Sequence, residues 1–364
     1  MKIAIVVGTR PEIIKMSPII RYCTNNQFDF FIIHTGQHYS YNMDKILFEE
    51  LGLPEAKYHL EAGSGSHGRQ TAAILDRIEE VLVKENPYIV LVEGDTNGVL
   101  AGALAASKLH IKVGHIEACL RSYDNLMPEE INRVIADHTA NYLFAPTEDS
   151  KINGLKENIP EHKIFVTGNT IVDAVFQNIK LAERREDIFN KLGTKKNEYI
   201  LLTLHRQENV DDQKRLKEIL LGLKLLYREL NLNIIYPIHP RAEKMLKTFN
   251  LEIPEGLILV PPASFLDFLN LEKNARLILT DSGGVQEEAC ILKVPCVTLR
   301  YNTERPETLR VGSNILAGTD PLKIVECSKK MIAVTKDWEN PFGNGQATEE
   351  IMRIISSQYV PKEP

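Results

Sequence analysis

The sequence predicts an α/β protein made of two doubly wound halves, each a mostly parallel sheet wrapped by helices. Three observations carry that prediction. Short β-branched runs alternate with longer helical patterns along the chain. The runs are apolar throughout rather than in alternation, as strands buried on both faces are. The alternation also starts afresh near residue 199, and 364 residues are too many for one ordinary core, so two domains follow.

In order, "KIAIVVGT", "FDFFIIHTG", "YIVLVEGD", "IKVGHIEA", "NYLFAPT" and "KIFVTGN" read as strands. Helical stretches lie between them at Pro11–Asn26, Gly68–Glu85, Thr96–Leu109, Pro128–His138 and Thr147–Glu157. The second strand set is "YILLTLH", "LNIIYPIHP", "LILVPP", "RLILTDSGG" and "VPCVTLR". Its helices fall near Asp212–Glu229, Ala242–Phe249, Leu266–Glu272 and Val285–Leu292, and a long helix Thr170–Lys191 joins the halves. Such βαβ alternation gives parallel sheets. No low-complexity linker intervenes, so the halves are expected to face each other across a cleft, with ligands beyond the carboxyl ends of the strands.

Composition excludes several classes. The chain is 43% apolar and 25% charged with a net charge of −6, which gives no electrostatic reason to expect nucleic acid or an anionic membrane as partner. Arg10 interrupts the N-terminus before a signal-peptide core could form, and no apolar run reaches membrane-spanning length,. The five cysteines are scattered without a C-x-x-C pair and read as small buried apolar residues of a reducing compartment. A cytoplasmic protein is expected.

The strand ends are where chemistry would sit. They read Gly8-Thr9-Arg10, Glu93-Gly94-Asp95-Thr96 and His115-Ile116-Glu117 in the first half. In the second they read His205-Arg206, His239-Pro240-Arg241 and Asp281-Ser282-Gly283-Gly284. One charged strand end is ordinary; six on the ligand-binding rim are hard to ascribe to solvation. Ser282, Gly283 and Gly284 would present a hydroxyl and backbone N–H groups at a helix start, an anion site. The bland account is a capping turn, which would prevail for an isolated S-G-G. Glu288, about one turn on, suits ribose hydroxyls or is a solvated helix residue. Arg10 follows the first strand, and Lys15 lies one turn into the next helix, where a surface lysine is the plain alternative. The absence of a G-x-G-x-x-G fingerprint there disfavours a dinucleotide cofactor.

Asp95 and Glu117 end neighbouring strands, and Glu129 opens a helix with Arg133 four residues on, the order that favours an intrahelical pair,. Each has a structural reading, as a cap or a first-turn glutamate meeting the helix dipole. Three carboxylates converging on one rim are costly for stability, which points to acid–base work. His205 suits an acid or phosphate ligand, though a lone histidine is more often structural. No H-E-x-x-H or paired histidine spacing supports a metal, and no Ser or Cys occupies a nucleophile elbow. Phe268 falls at helical spacing from Phe265, as core or as the wall of a base pocket. The loop with Gln37 and His38 reads more as capping than as a second site.

The motifs "GTRPEIIKMSPII", "TGQHY", "EGDTN", "HIEACLRS", "MPEEINR", "GNTIVDA", "LTLHRQEN", "YPIHPR", "TDSGGVQEEA" and "TERPET" occur in this order. The chain resembles, from Lys2 to about Gly345, the UDP-N-acetylglucosamine 2-epimerases of the non-hydrolysing kind. The resemblance implies two Rossmann-like domains in the glycosyltransferase-B manner. Residues 1–168 would form the first, residues 169–345 a UDP-binding second, and a helix at about 346–364 would pack back on the first. It implies a homodimer that interconverts UDP-GlcNAc and UDP-ManNAc without NAD or metal. It further implies Asp95, Glu117 and Glu129 as catalytic carboxylates, with Arg133 in support and His205 catalytic or diphosphate-binding. Arg10 and Lys15 would lie near the substrate, Ser282–Gly284 at the diphosphate, Glu288 at the ribose, Phe268 beside the uracil and Arg305 in "TERPE". Cys119 departs from the family's glycine, and Ala263 stands where several members have a glutamine at the uridine. "QHYSYNM" is one residue longer than the Q-H-x-x-M tied to an activating second substrate molecule; Gln37, His38, Arg206 and His239 would be its ligands.

That chemistry needs such a set. The C2 hydrogen of an N-acetylhexosamine is not beside a carbonyl, so C1–O cleavage must precede or accompany its removal. An anion site must hold departing UDP, and carboxylates must take a proton from one face and return one to the other. A hydrolysing epimerase, a glycosyltransferase of the same fold and a non-catalytic UDP-sugar sensor are the competing readings.

Overall fold

The computed structural model describes residues 1–36, 41–63, 65–185 and 187–359. The chain divides into two compact units, Met1–Gln177 with Phe342–Pro364, and Asn178–Pro341. The first unit contains β1 (Lys2–Val7), β2 (Asp29–His34), β3 (Tyr58–His59), β4 (Ile89–Glu93), β5 (Lys112–Ile116), β6 (Tyr142–Ala145) and β7 (Ile164–Val166). They form one sheet in the order β3-β2-β1-β4-β5-β6-β7, parallel throughout. The second unit contains β8 (Tyr199–Thr203), β9 (Asn233–Pro237), β10 (Leu257–Val260), β11 (Leu277–Thr280), β12 (Cys296–Thr298) and β13 (Asn314–Leu316). Its parallel order is β10-β9-β8-β11-β12-β13. Both sheets therefore turn back at one point, between β1 and β4 in the first and between β8 and β11 in the second. Loops leaving those two strand pairs diverge and open a crevice at their carboxyl ends, the general ligand position of this architecture.

The strands hold because they are apolar on both faces. Ile3, Ile5 and Val7 are fully buried on β1, as are Ile200, Leu201, Leu277 and Ile278 in the second sheet; covering helices account for such two-sided burial. The first helix, Arg10–Asn25, carries Pro18 in its interior. Proline cannot donate to the carbonyl four residues back, and the Ser17 hydroxyl bonds that Ile14 carbonyl instead, at 2.7 Å. Helix Ala347–Ser357 belongs to the first unit: the buried Asp173 carboxylate accepts the Thr348 N–H at 2.9 Å at its start.

One expectation is corrected. The connecting segment is not one helix Thr170–Lys191 but two, Thr170–Ala182 and Asp187–Leu192. The first ends in tight turns, with Arg184 and Arg185 N–H bonding Leu181 and Ala182 carbonyls. Arg185 is then drawn aside, its guanidinium 3.1 Å from Ser264 Oγ and its carbonyl accepting Asn270 Nδ2 at 3.2 Å. The sequence reading also lacked the helices Tyr41–Glu50 and Pro321–Ile332. Among the described residues, no helix is long and apolar enough to cross a membrane.

Candidate active site

At the β1/β4 switch point of the first unit, two buried carboxyl groups share one ammonium, with a third beside them. Lys15, one turn into helix Arg10–Asn25, reaches Glu93 at 3.2 Å and is also bonded to Glu117. Glu93 is the last residue of β4, 2% exposed, and Glu117 follows β5, with 7% exposure. Burial pushes the Glu93 carboxyl well above the usual range; Lys15 opposes this, while Glu117, hydrogen-bonded to Glu93, and then Glu12 reinforce it. Glu12 accepts the Gly8 and Thr9 N–H groups and the Thr96 hydroxyl. Those donors do not offset its burial, which lifts its carboxyl to about 7. Glu12 thereby ties the β1 loop, whose Arg10 is exposed, to the β4 loop that carries Asp95.

Arg133 is held between Asp95 and Glu130, the latter at 2.5 Å. The expected pair with Glu129 does not form. Glu130 points inward, where it also accepts the Ser122 and Tyr123 N–H groups at 3.0 Å. Burial would raise its pKa, but these amides and Arg133 outweigh it and hold Glu130 below the usual carboxylate range. Glu129 is half-buried, and its side chain has no hydrogen-bond or ion-pair partner among the described residues. Asn132 fixes the same loop by donating to the Asp95 carbonyl at 2.9 Å.

His115, read as a rim residue, is instead fully buried. Its Nδ1 lies 2.7 Å from Asp137, which also accepts Arg121 at 2.6 Å and the Cys119 N–H at 3.1 Å. Burial penalises charge on both His115 and Asp137, yet their mutual attraction raises the His115 pKa, against the opposing charge of Arg121, and together with Arg121 lowers that of Asp137. This ion cluster anchors the loop bearing Glu117. Glu117 and Cys119 both have left-handed backbone, φ 61° and 66°, a conformation that favours glycine. Gly154 makes room for the Cys119 side chain: a Cβ on it would lie 2.8 Å from the sulfur.

In the second unit, Asp281 follows β11, fully buried, and receives the N–H groups of His205 at 3.1 Å and Arg206 at 2.9 Å. The His205 ring lies 3.3 Å from the same carboxylate and 5.9 Å from the His239 ring. Burial lowers the His205 pKa; Asp281 opposes this, while Arg206 and His239 add to it. His239 caps helix Pro240–Thr248 by accepting the Arg241 N–H at 3.2 Å, and the Arg206 side chain is 3.6 Å from Glu304. Ser282 caps helix Gly283–Ile291. A Cβ on Gly283 would come no nearer than 3.7 Å to any atom, and one on Gly284 no nearer than 3.9 Å. Packing therefore does not demand glycine at either position, and the space that they leave open lies at the helix start.

Glu288 lies further along that helix, half-buried, beside Glu272 of helix Phe265–Lys273, which is fully buried. Burial, and then the neighbouring Glu288 carboxyl, push Glu272 well above its usual range. Arg305 pairs with the buried Glu287 at 2.6 Å. The neighbouring Glu304 is gripped by Arg300 at 2.7 Å, which outweighs its burial and brings it down to about 2. Phe268 is half-buried against the core that includes Phe189 and Tyr199.

Each unit thus gathers its strand-end residues at its own switch point, carboxylates and Lys15 in the first, His205 and a glycine-opened helix start in the second. A family model described as UDP-N-acetylglucosamine 2-epimerase matches residues 21–356. The chain belongs to that family. It is 57% identical over 98% of its length to the UDP-N-acetylglucosamine 2-epimerase of Methanocaldococcus jannaschii, of which 99% is covered. It is 56% identical to that of Methanococcus maripaludis, over 99% of this chain and 100% of the relative. The crystal structure of the M. jannaschii enzyme in complex with UDP-GlcNAc and UDP superposes with a TM-score of 0.89, covering 98% of this chain and all of that one.

Sequence reasoning did not single out Glu12, Glu130, Asp137 or Glu272, and it named Glu93 only within the set of charged strand ends without giving it a role. Two of them had a local signal. Glu12 stands three residues after Thr9, in capping-box spacing,, and Glu272 interrupts the apolar stripe of Phe265 and Leu269,. Gln37 and His38 lie outside the described residues. Among the described residues, no group of three or more His, Cys, Asp or Glu is arranged to hold a metal ion.

Proposed function

We propose that the chain catalyses the reversible C2 epimerisation of UDP-N-acetylglucosamine to UDP-N-acetylmannosamine, retaining UDP rather than releasing a free sugar. UDP is eliminated to leave 2-acetamidoglucal and is then added back. The observation that carries this reading is the Lys15–Glu93–Glu117 cluster with the neighbouring Asp95–Arg133 pair. A transferase has no use for so many carboxylates about a donor sugar. Glu117, ionised beside Lys15, takes the C2 proton, and Asp95 and Glu129 share the remaining proton work. Ser282, Gly283, Gly284 and His205, with Arg10, bind the diphosphate and stabilise it as it departs. Glu288 accepts the ribose hydroxyls, Phe268 lies against the uracil, and Arg305 completes the substrate set. The relative of known structure was crystallised with UDP-GlcNAc and UDP, which supports the same ligands here.

The working form is a homodimer in the cytoplasm; the exposed apolar side chains of Leu126, Ile131 and Ile135 on the loop and helix about Pro128–Thr139 support the dimer. The test is incubation with UDP-GlcNAc alone in deuterated water, followed by NMR. UDP-ManNAc carrying deuterium at C2 is expected. Free ManNAc with UDP would assign the hydrolysing activity instead, and an unchanged sugar would defeat the proposal.

A further inference from the structure

Glu93 has no assigned part in this chemistry, yet its surroundings are those of a working group. It ends β4 at the switch point with its carboxyl sealed from solvent. The groups that face it are Lys15 and Glu12 from the first helix and Glu117 from the loop after β5. Lys15 is the one cation among them, and it also binds Glu117. Two ionised carboxylates and one ammonium would leave an uncompensated negative charge in a buried place, which is strongly disfavoured. A third carboxyl, Glu12, increases that excess. One proton on the Glu93–Glu117 pair removes it and supplies the donor that two acceptor carboxylates lack.

The location of this proton follows from what else each carboxyl touches. The Glu93 Oε1 atom is buried without a hydrogen-bond donor in line, its contact with Lys15 being electrostatic at 3.2 Å. Glu117 makes the closer bond to Lys15, which favours its ionised form. Resting on the epimerase reading above, we propose that Glu93 carries the proton and donates it in a hydrogen bond to Glu117, holding Glu117 ionised and oriented as the base. Glu93 is thus a positioning residue. Glu117 is placed between a cation that lowers its basicity and an acid behind it, and the pair works in its singly protonated form. Loss of the remaining proton at high pH would put two negative charges side by side and misplace the base; a second proton at low pH would silence it.

The substitutions Glu93→Gln and Glu93→Leu separate this from a packing role. Gln keeps the shape and a donor but cannot ionise; Leu keeps comparable bulk and loses the donor. Deuterium incorporation at C2 would be followed for each across pH, with UDP affinity measured by calorimetry as a check that the second unit is intact. Glu93→Gln should stay within about tenfold of wild-type kcat/KM and lose the alkaline limb of the pH profile, whereas Glu93→Leu should lose roughly ten- to a hundredfold in kcat at unchanged UDP affinity. Equal activity of Gln and Leu variants, or a Gln variant with the wild-type pH profile, would overturn the proposal. If Glu93→Leu does not fold, the Gln profile decides alone. Absence of C2 exchange in the wild-type protein would instead defeat the epimerase reading itself.

Discussion

Replacement of Asp281 by alanine should unfold the second unit at markedly lower denaturant. The Asp281 carboxylate has no exposed surface and accepts the His205 N–H at 3.1 Å, the Arg206 N–H at 2.9 Å and Asn209 Nδ2 at 3.3 Å. Alanine leaves these donors without an acceptor. Asn209 retains the Leu299 carbonyl at 2.9 Å, so two backbone donors are orphaned. At about 1–3 kcal/mol for each buried donor, and toward the low end because water can reach the partly exposed His205, the cost is roughly 2–4 kcal/mol. The chain has one tryptophan, Trp338, which lies in this unit, is buried and donates to the Cys290 carbonyl at 3.0 Å. Its fluorescence in urea therefore reports the unit that was perturbed. With a slope of roughly 2–3 kcal/mol/M the midpoint should fall by about 1 M, and UDP binding should weaken with it. A shift below about 0.3 M at unchanged slope would refute the claim that Asp281 is what holds the β8 and β11 loops together.

Two further outcomes follow from the geometry. Gly284→Ala meets no atom within 3.9 Å and removes chain entropy from the unfolded state, so stability should rise by about 0.4–1 kcal/mol in urea. The same methyl group stands at the anion-binding helix start, so calorimetry should show UDP affinity reduced about tenfold or more, the worth of one charged hydrogen bond. Unchanged affinity would move the diphosphate away from that turn. Glu12, whose carboxyl is lifted to about 7 from 4.5, binds its proton more tightly folded than unfolded. Its contribution is complete below pH 4.5 and is lost as pH rises through 7, by about 3 kcal/mol at 1.36 kcal/mol per pH unit. Glu12→Gln should flatten that fall, seen as a difference between the two stability–pH curves; parallel curves would show that Glu12 does not titrate there.

Much of the architecture was legible because it is local. Runs such as "YIVLVE" and "RLILT" are apolar on both faces whatever surrounds them, and Thr96, Ser264 and Ser282 cap helices through their own neighbours three or fewer residues away. The strand-end rule likewise led to Asp95, Glu117 and His205, which the two switch points do collect within their own units. Local rules failed where a side chain had a choice of partner. Arg133 could pair with Glu129 by spacing alone, but the turn at Ser122 and Tyr123 draws Glu130 inward and gives it Arg133 instead. The helix expected over Thr170–Lys191 was interrupted because Ser264 and Asn270, some eighty residues on, hold Arg185.

By itself, the sequence determined two parallel sheets, the strand ends that bear charge and the glycine-opened helix start, since each depends on periodicity or on backbone freedom within a few residues. Only the tertiary structure decided which acids meet. Glu93 meets Glu117, and Glu272 meets Glu288, across separate elements; Lys15 reaches Glu117 over 102 positions in the chain. Protonation depends on burial and on the nearest charges, and both are set by how strands and helices pack rather than by which residues stand next to one another.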